Sequence, residues 1–590
     1  MAFLTEIKKV FTTAFDLSAM FIKNCKKLLF MDIFLGVSRE ISQLIITILP
    51  SVVIWLCMNR NFGAAIASIA VMVIALTLLK TLIEYIQRDL SDESLHATNS
   101  LYYYLNGKNA RLDLSDAEDS SRIDEYYNVF DNIYNFSDVH YSIFCVLLSK
   151  LLSFAIMSAL IIAVDLRLYA IVLLENIIIL IINAKKDKLV HEFDEEISKN
   201  TKRVKYLSEL MDDFEAGRDI RIYNASSMVS DKYANELQSS RKIEMKKQRC
   251  DFLIELAISL LGLGELFLIY LFAINKYASG GLLLASFVLY VSASKLISSS
   301  IAEIVWVAGI LHTASIYYDD FDKYLKIEEK MRNTGADKPV AGEAAPFIEF
   351  RKVSFRYPNQ TEYAIKDFSC KIDYGEHIAI VGDNGAGKST LVKLLLRLYD
   401  PTDGEIYFKG KNIKEYDYDS YQSVFAPVFQ DYVLNAFSIR ENLIFDYNER
   451  EGLIKGALEK TGIYNKIIEL GLDRPYSRRF SEDGIELSGG EEQRLVISRA
   501  WCKDSDVLVL DEPTAAIDPL SERKLFQDVF DGIGSTTSIM ISHRMSCSKF
   551  SSRIFVMEHG VLAEQGTHSE LLNFCGLYAS MYRRQAEYYS

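Results

Sequence analysis

The sequence predicts two unlike halves: an α-helical membrane domain of six long helices, followed by an α/β domain built around a phosphate loop. Three observations lead to this expectation. The first half of the 590 residues contains apolar runs of membrane-spanning length, the second half alternates short apolar strands with helices, and residues 382–390 read GDNGAGKST. We expect residues 1–332 to form the membrane domain with its cytoplasmic extensions, residues 333–346 a linker, and residues 347–590 the α/β domain.

Composition excludes some classes of function. The net charge is −14, and no block rich in Lys or Arg stands out, which argues against a nucleic-acid partner. The eight cysteines are scattered, without CxxC pairs or metal-ligand spacing. We interpret them as reduced structural residues.

Six apolar runs approach the length needed to cross a hydrocarbon core. They are residues 33–57, 62–79, 143–164, 168–182, 252–273 and 282–302. Short and long connections alternate between them, and Lys and Arg concentrate at the N-terminus and in the two long connections. The positive-inside tendency therefore places these connections and both termini in the cytoplasm.

The long connections have apolar residues at helical spacing and few Gly or Pro, so the membrane helices are expected to continue into the cytosol. At the far end of each connection lies a segment suited to a turn and a transverse helix, residues 116–130 and residues 214–224. These two segments are candidates for transmitting force between the domains. Plain solvated helices are the alternative.

Charged residues within or near the spans should face the bundle interior or a watery cavity, because facing lipid costs several kcal/mol each. Those near span ends, notably Arg39, Glu255 and Glu303, are expected to reach the interface or to pair within their own helix. Glu175 and Glu265 lie mid-span. We predict that these two glutamates help to line a polar translocation cavity.

The phosphate loop follows an apolar strand and precedes a helix start, which is the context that a functional loop needs. Its backbone N–H groups can surround an anion, Lys388 can reach the outer phosphates, and Ser389 can offer a hydroxyl to Mg²⁺. The predicted nucleotide-binding residues of this loop are Gly382, Asp383, Asn384, Gly385, Ala386, Gly387, Lys388, Ser389 and Thr390.

A second element, residues 507–512, reads VLVLDE, a buried strand that ends in two acids. A carboxylate at a strand end beside a phosphate loop can hold Mg²⁺ through water, and we assign that role to Asp511. Glu512 is then free to act as a general base on the attacking water. A solvated acidic turn is the alternative interpretation.

A third element, residues 487–494, reads LSGGEEQR and opens a helix. Ser488, Gly489 and Gly490 at that helix start form a second anion site. One ATP has a single terminal phosphate, so two anion sites in one domain suggest that two copies of the domain share a nucleotide.

Taken together, these motifs resemble an ABC transporter of the exporter type over nearly the whole chain, with a phosphate-loop (RecA-like) ABC nucleotide-binding domain. LSGGE, ending at Glu491, matches the signature motif of that family. The resemblance implies that Tyr357 stacks on adenine and that Gln430 contacts Mg²⁺. It also implies that Asp518 belongs to the D-loop, and that His543 contacts the terminal phosphate. The implied metal contacts are Ser389, Gln430 and Asp511, and the implied catalytic residues are Glu512, His543 and Lys388.

The resemblance implies a half-transporter that binds ATP and Mg²⁺ and works as a homodimer or as a heterodimer with a second half. We expect it to hydrolyse ATP and export a peptide, lipid or amphipathic compound from a plasma (bacterial inner) membrane, with the nucleotide-binding domain in the cytoplasm. Import of a metal chelate or small molecule by the same fold is the alternative. A soluble regulatory ATPase with paired nucleotide domains is disfavoured by the single such domain and the six spans.

Overall fold

The computed structural model describes residues 2–163, 166–279, 283–332, 335–340, 346–358, 360–445, 451–478, 481–503, 505–512, 536–542 and 547–587, together with residues 527, 530, 532, 534 and 545. The chain forms two compact units. The first contains residues 1–107 and 125–326, and the second contains residues 108–124 and 327–590.

The first unit is helical. The helices up to residue 325 are α1 (Ala2–Asn24), α2 (Lys27–Met58), α3 (Phe62–Asn109), α4 (Leu114–Ala117), α5 (Ser120–Asn132), α6 (Val139–Tyr141), α7 (Leu148–Ile162), α8 (Leu166–Asp212), α9 (Phe214–Ile222), α10 (Ser226–Ala278) and α11 (Leu284–Leu325). Of these, the end of α3, all of α4 and the start of α5 lie in the second unit. A 3₁₀ turn at Ile133–Phe136 and a π-helical stretch at Ser142–Leu147 complete the entry to α7. The transverse segment predicted in the second long connection is α9.

Within the described part of the chain, five helical stretches are long and apolar enough to cross a membrane. They are Lys27–Met58, Phe62–Asn109, Ser120–Ile162, Ser226–Ala278 and Leu284–Leu325. The fourth predicted span corresponds to a shorter apolar stretch, Tyr169–Asn183, within α8. Several of these helices run far beyond a bilayer thickness, as expected for cytoplasmic extensions.

Charged residues near the span ends pair between helices, which corrects the expectation of pairing within one helix. Lys150 Nζ on α7 lies 3.2 Å from Glu40 Oε2 and 3.4 Å from Glu303 Oε1. Glu255 on α10 lies 3.3 Å from Lys186 Nζ on α8. Sequence spacing could not reveal these partners because they come from distant segments.

The mid-span glutamates meet at the packed helices α8, α10 and α11. Glu175 is buried, and a Cβ at Gly262, three residues before Glu265 on α10, would lie 3.7 Å from Glu175 Oε1. Asn176 Nδ2 donates to Ser298 Oγ at 3.2 Å. The lining of a translocation cavity by Glu175 and Glu265 stays a prediction.

The second unit contains two β-sheets. A four-stranded antiparallel sheet has the order β2-β1-β4-β5, and a six-stranded sheet has the order β10-β9-β3-β8-β7-β6. In the larger sheet β9, β3, β8, β7 and β6 pair in parallel, and β10 adds an antiparallel edge. The fold class predicted from the sequence is therefore found in both halves of the chain.

The strands of the second unit are β1 (Ile348–Phe355), β2 (Ile365–Ile372), β3 (His377–Val381), β4 (Asp403–Phe408), β5 (Lys411–Asn412), β6 (Phe425–Val428), β7 (Val507–Asp511), β8 (Thr537–Ile541), β9 (Arg553–Glu558) and β10 (Val561–Gly566). Its helices after α11 are α12 (Lys388–Leu395), α13 (Tyr418–Ser423), α14 (Ile439–Leu443), α15 (Glu451–Lys460), α16 (Tyr464–Leu470), α17 (Gly489–Cys502), α18 (His568–Phe574) and α19 (Leu577–Glu587). Central strands β3, β7 and β8 read as nearly continuous apolar runs because helices and loops cover both faces of a parallel sheet.

Residues 108–124, which run from the end of α3 through α4 into the start of α5, belong to the second unit although the predicted membrane domain surrounds them in sequence. Leu114 packs against the core formed by the two sheets. Asp113 Oδ2 accepts from the N–H of Met331 at 3.4 Å, and Lys108 Nζ lies 2.8 Å from Glu329 Oε1. The first long connection is thus anchored on the α/β fold by side-chain contacts.

Candidate functional site

The phosphate loop joins the end of β3 to the start of α12, as the strand–turn–helix pattern predicts. Gly387 has a left-handed φ of +97°, and a Cβ there would lie 2.7 Å from the carbonyl oxygen of Ala364. At Gly382, a Cβ would lie 2.4 Å from the carbonyl oxygen of Met557. Both positions therefore require glycine, because neighbouring backbone closes around the loop.

Lys388, the first residue of α12, points back into the loop. Its side chain is buried, and Nζ donates to the carbonyl oxygens of Gly382 and Asp383, at 3.0 Å each. Burial lowers the pKa of the Lys388 ammonium, while the nearby carboxylates of Glu512 and Asp511 oppose that change. The ammonium is thus held at the loop where the terminal phosphates of a nucleotide would lie.

Asp511 ends β7 at the carboxyl edge of the parallel sheet, where β3 also ends. Ser389 Oγ donates to Asp511 Oδ1 at 3.3 Å, so two of the predicted Mg²⁺ contacts meet. Burial raises the pKa of the Asp511 carboxyl, and Ser389 opposes the rise. A hydroxyl and a carboxylate beside a phosphate loop fit Mg²⁺, which usually takes one or two carboxylates together with substrate phosphates.

Glu512 follows Asp511 in an unusual backbone conformation. Its φ is +47°, a left-handed value that costs free energy in a residue with a side chain. The Glu512 N–H donates to the carbonyl oxygen of Ile541 at 3.1 Å, which anchors this residue to β8. Strained residues of this kind concentrate at functional sites.

These elements surround a cavity of about 770 Å³. Tyr357 stands at its side, and the Tyr357 hydroxyl lies 3.0 Å from Thr390 Oγ1. The cavity is lined by Tyr357, Gln360, Ala364, Asn384, Gly385, Gly387, Lys388, Ser389, Thr390, Gln430 and Glu512. The fold therefore brings Tyr357, the phosphate loop, Gln430 and Glu512 to one place, although they lie far apart in sequence.

Sequence reasoning did not single out Gln360 and Ala364, which also line the cavity. Both lie between Tyr357 and β2, in a connection whose residues carry no motif. Their position in the sequence could have indicated this, because they follow Tyr357 and Pro358, and Tyr357 is itself predicted to contact the nucleotide.

The signature motif lies elsewhere in the second unit. Ser488 caps α17, and its N–H donates to Glu491 Oε2 at 2.9 Å. That backbone hydrogen bond lowers the pKa of the Glu491 carboxyl. Ser488 and Gly489 are exposed to solvent, and the lining of the phosphate-loop cavity includes none of residues 488–491. Among the described residues, the two predicted anion sites, the phosphate loop and Ser488–Gly490, do not line one cavity.

Two predicted site residues, Asp518 and His543, lie outside the described residues. Their assigned roles stay predictions. Asp383 and Ala386 belong to the loop without lining the cavity; Asp383 contributes its carbonyl oxygen to Lys388, and Ala386 is buried.

The chain is similar to several known proteins. Residues 365–515 match the family described as ABC transporter. The subtilin transport ATP-binding protein SpaT of Bacillus subtilis is 30% identical over 391 residues, which are 64% of this chain and 62% of that protein. The ATP-dependent lipid A-core flippase of Burkholderia orbicola is 38% identical over 261 residues, 44% of this chain and 43% of that protein. The matches thus span less than two thirds of these relatives.

A solved structure described as a bacterial Atm1-family ABC exporter with ATP bound superimposes with a TM-score of 0.81 at 21% identity. The match covers 95% of this chain and 98% of the other. At this identity the likeness concerns the fold, which is confirmed as a helical membrane domain followed by an α/β nucleotide-binding domain. The five long apolar helices within the described part of the chain are those of an integral membrane protein.

Proposed function

We propose that this chain, a member of the ABC transporters with the exporter fold, is one half of an ATP-driven exporter that works as a dimer. The main support for the proposal is that the phosphate loop and the signature motif do not line one cavity. Lys388, Gln430 and Glu512 line the phosphate-loop cavity, whereas Ser488 is exposed and lies outside that cavity. Two copies could complete two nucleotide sites by placing the signature motif of each over the phosphate loop of the other.

In this proposal ATP lies along the cavity, with its base on the ring of Tyr357 and its phosphates on the loop. Lys388 and the loop N–H groups neutralise the terminal phosphates. Ser389 and Asp511 would hold Mg²⁺, with Gln430 on the same cavity wall. Bound Mg²⁺ would supply charge neutralisation at the phosphates.

Glu512 is proposed as the general base for the attacking water. It lines the cavity at the carboxyl end of the strand that precedes it, and the hydrogen bond from its N–H to Ile541 fixes its backbone. We propose that His543 contacts the terminal phosphate and that Asp518 contributes through the D-loop, as the family resemblance implies. Hydrolysis would then reset the dimer after ATP-driven closure.

Closure of the nucleotide-binding domains is proposed to turn the membrane cavity outward through the two segments predicted to transmit force, residues 116–130 and residues 214–224. Support comes from the anchoring of residues 108–124 on the α/β fold by Asp113 and Lys108. A homodimer is the simplest assembly, because each copy contains a phosphate loop, the acidic strand end and the signature motif. A heterodimer with a second half-transporter is the other form of the same proposal.

The names of the relatives favour an amphipathic cargo. One is a subtilin transport protein and others are lipid A-core flippases. We propose export of a peptide, lipid or amphipathic small molecule across the plasma membrane, with both termini and the nucleotide-binding domain in the cytoplasm. The exporter relatives give no support to the alternative of metal-chelate import.

The decisive experiment uses the purified full-length chain in lipid. ATPase activity is measured with a panel of cationic peptides, lipids and amphipathic drugs, because a coupled transporter responds to its cargo. A compound that stimulates hydrolysis is then followed, radiolabelled, in inside-out and right-side-out vesicles. Accumulation in inside-out vesicles with external ATP supports export, whereas ATP-driven loss from preloaded inside-out vesicles would contradict it.

A further inference from the structure

The tyrosine predicted to stack on adenine is supported by a second tyrosine. The ring of Tyr399 meets that of Tyr357 edge-on, with centroids 5.4 Å apart and planes at 82°. Tyr399 also packs against Phe355 at 5.4 Å, and Lys393 Nζ lies 5.8 Å from the centroids of both tyrosine rings. The position of Tyr357 therefore depends on neighbours outside the phosphate loop.

Tyr357 borders two cavities. It lines the phosphate-loop cavity and also a second cavity of about 530 Å³. The second cavity is walled in part by Asp113 and Ser115 and by Tyr399. The Tyr357 ring also meets Phe355 edge-on at 5.0 Å, and its hydroxyl lies 3.0 Å from Thr390 Oγ1. Tyr399 is therefore one of three groups that set the orientation of this ring.

Glu118, in residues 108–124, holds this support in place. The buried Tyr399 donates its hydroxyl hydrogen to Glu118 Oε2 at 2.5 Å. Lys393 Nζ lies 3.4 Å from Glu118 Oε1. A single carboxylate thus contacts Tyr399 and Lys393, two of the groups around Tyr357.

The two contacts of Glu118 differ in strength. The ion pair with Lys393 is partly exposed, with side-chain exposures of 32% for Lys393 and 47% for Glu118, and such pairs contribute little. The hydrogen bond from Tyr399 joins a buried hydroxyl to a charged acceptor, which is the stronger class of hydrogen bond. Burial and Glu118 both raise the pKa of the Tyr399 hydroxyl, so this hydroxyl stays a donor at neutral pH.

We propose that Glu118 is a positioning residue for the nucleotide base: it holds Tyr399, which sets the ring of Tyr357, and so links affinity for a purine nucleotide to the first cytoplasmic connection. The inference rests on the proposed function, because it assumes that Tyr357 receives the base. Since coupling free energies are reciprocal, a displacement of residues 108–124 changes ATP affinity and ATP binding biases their position. We expect the linkage to act chiefly on the base, because, among the described residues, the Glu118 carboxylate contacts Tyr399 and Lys393 and none of the loop residues 382–390.

The test compares Glu118→Ala, Glu118→Gln, Tyr399→Phe and the double variant Glu118→Ala/Tyr399→Phe in the full-length chain in lipid. The control is Asp124→Asn, which removes an exposed charge from the same segment. For each protein we measure KM and kcat for ATP, the equilibrium Kd for ATP, and the inhibition constant of inorganic triphosphate, which lacks a base.

Loss of the hydrogen bond should raise KM and Kd for ATP by about tenfold in Glu118→Ala and in Tyr399→Phe. The double variant should be no weaker than either single variant, because both remove one interaction. Glu118→Gln keeps an acceptor for Tyr399 and should restore most of the affinity. We expect kcat, the inhibition constant of inorganic triphosphate, and the control to stay near wild-type values.

Unchanged ATP affinity in Glu118→Ala, or additive losses in the double variant, would overturn the inference. So would a parallel loss of affinity for inorganic triphosphate, since that would mean general damage to the site. A wild-type chain that neither binds nor hydrolyses ATP would overturn the proposed function itself, which separates the two failures.

Discussion

At the scale of single residues, the described site combines one buried cation with two adjacent acids in different environments. Lys388 and Asp511 are buried. Burial lowers the pKa of the Lys388 ammonium and raises the pKa of the Asp511 carboxyl, because it disfavours the charged form of each. Glu512 lines the cavity from a strained backbone position. The two consecutive carboxyls thus lie in different surroundings, Asp511 buried and Glu512 on the cavity wall. Different surroundings allow one carboxyl to hold Mg²⁺ and the other to act as a base.

Glu512→Gln should bind ATP with nearly wild-type affinity, because the amide keeps the size and polarity of the side chain. Hydrolysis should fall by about 10²- to 10⁴-fold, the usual contribution of a general base. Steady-state ATPase and equilibrium ATP binding check this, with Glu469→Gln, an exposed acid on α16, as the control. Near-normal turnover in Glu512→Gln would remove Glu512 from the mechanism.

The two loop glycines Gly387 and Gly385 offer a matched comparison. Both have positive φ, +97° and +80°, but a Cβ at Gly387 would meet Ala364 and Ile365 at 2.7 Å, whereas the space at Gly385 is open. Gly385→Ala should cost about 1–2 kcal/mol of backbone strain. Gly387→Ala should cost clearly more and lower ATP affinity. Thermal unfolding with and without ATP measures both effects, and equal losses in the two variants would contradict the argument.

At the scale of elements, the membrane helices are joined by charged groups that the sequence shows only as isolated residues. The side chains of Glu40 and Lys150 are 3% and 12% exposed and pair across α2 and α7. Removing one member of a buried ion pair leaves an uncompensated charge. Such pairs therefore hold specific helices together in the first unit.

Lys150→Met should destabilise the purified chain by about 3–5 kcal/mol, because Glu40 loses its buried partner. The double variant Glu40→Gln/Lys150→Met should recover most of that loss. Lys326→Ala, which breaks the exposed pair with Asp322 at the end of α11, is the control and should cost below about 1 kcal/mol. Thermal unfolding in one detergent compares them, and a double variant as unstable as the single one would contradict the pairing argument.

At the scale of the whole molecule, the proposed dimer makes a prediction about mixtures. If each nucleotide site combines Lys388 of one copy with Ser488 of the other, then Lys388→Ala and Ser488→Arg should each abolish ATPase activity in homodimers. A mixed dimer with one variant in each copy has both defects in one site and an intact second site. Activity should return in differently tagged, co-purified mixed dimers, and its absence there would show that the two motifs do not act across the interface.

Local sequence patterns predicted the helical membrane half, the α/β half, and the strand–turn–helix setting of the phosphate loop. Each of these depends on a local pattern. The length of an apolar run predicts a membrane span, and GxxxxGK[ST] predicts an anion-binding turn. VLVLDE predicts a buried strand that ends in two acids. Residue type and immediate neighbours predicted where the four side chains of the site lie. In the structure Lys388, Ser389 and Glu512 line one cavity, and Asp511 contacts Ser389 beside it.

Only the tertiary structure decided which distant residues meet. The pairing of Lys150 with Glu40 and Glu303, the presence of Gln360 and Ala364 in the cavity, and the contact of Glu118 with Tyr399 carry no local signal. The physical reason is that side-chain contacts between segments far apart in sequence are set by strand order and helix packing. These depend on the whole chain, and a local pattern does not encode them.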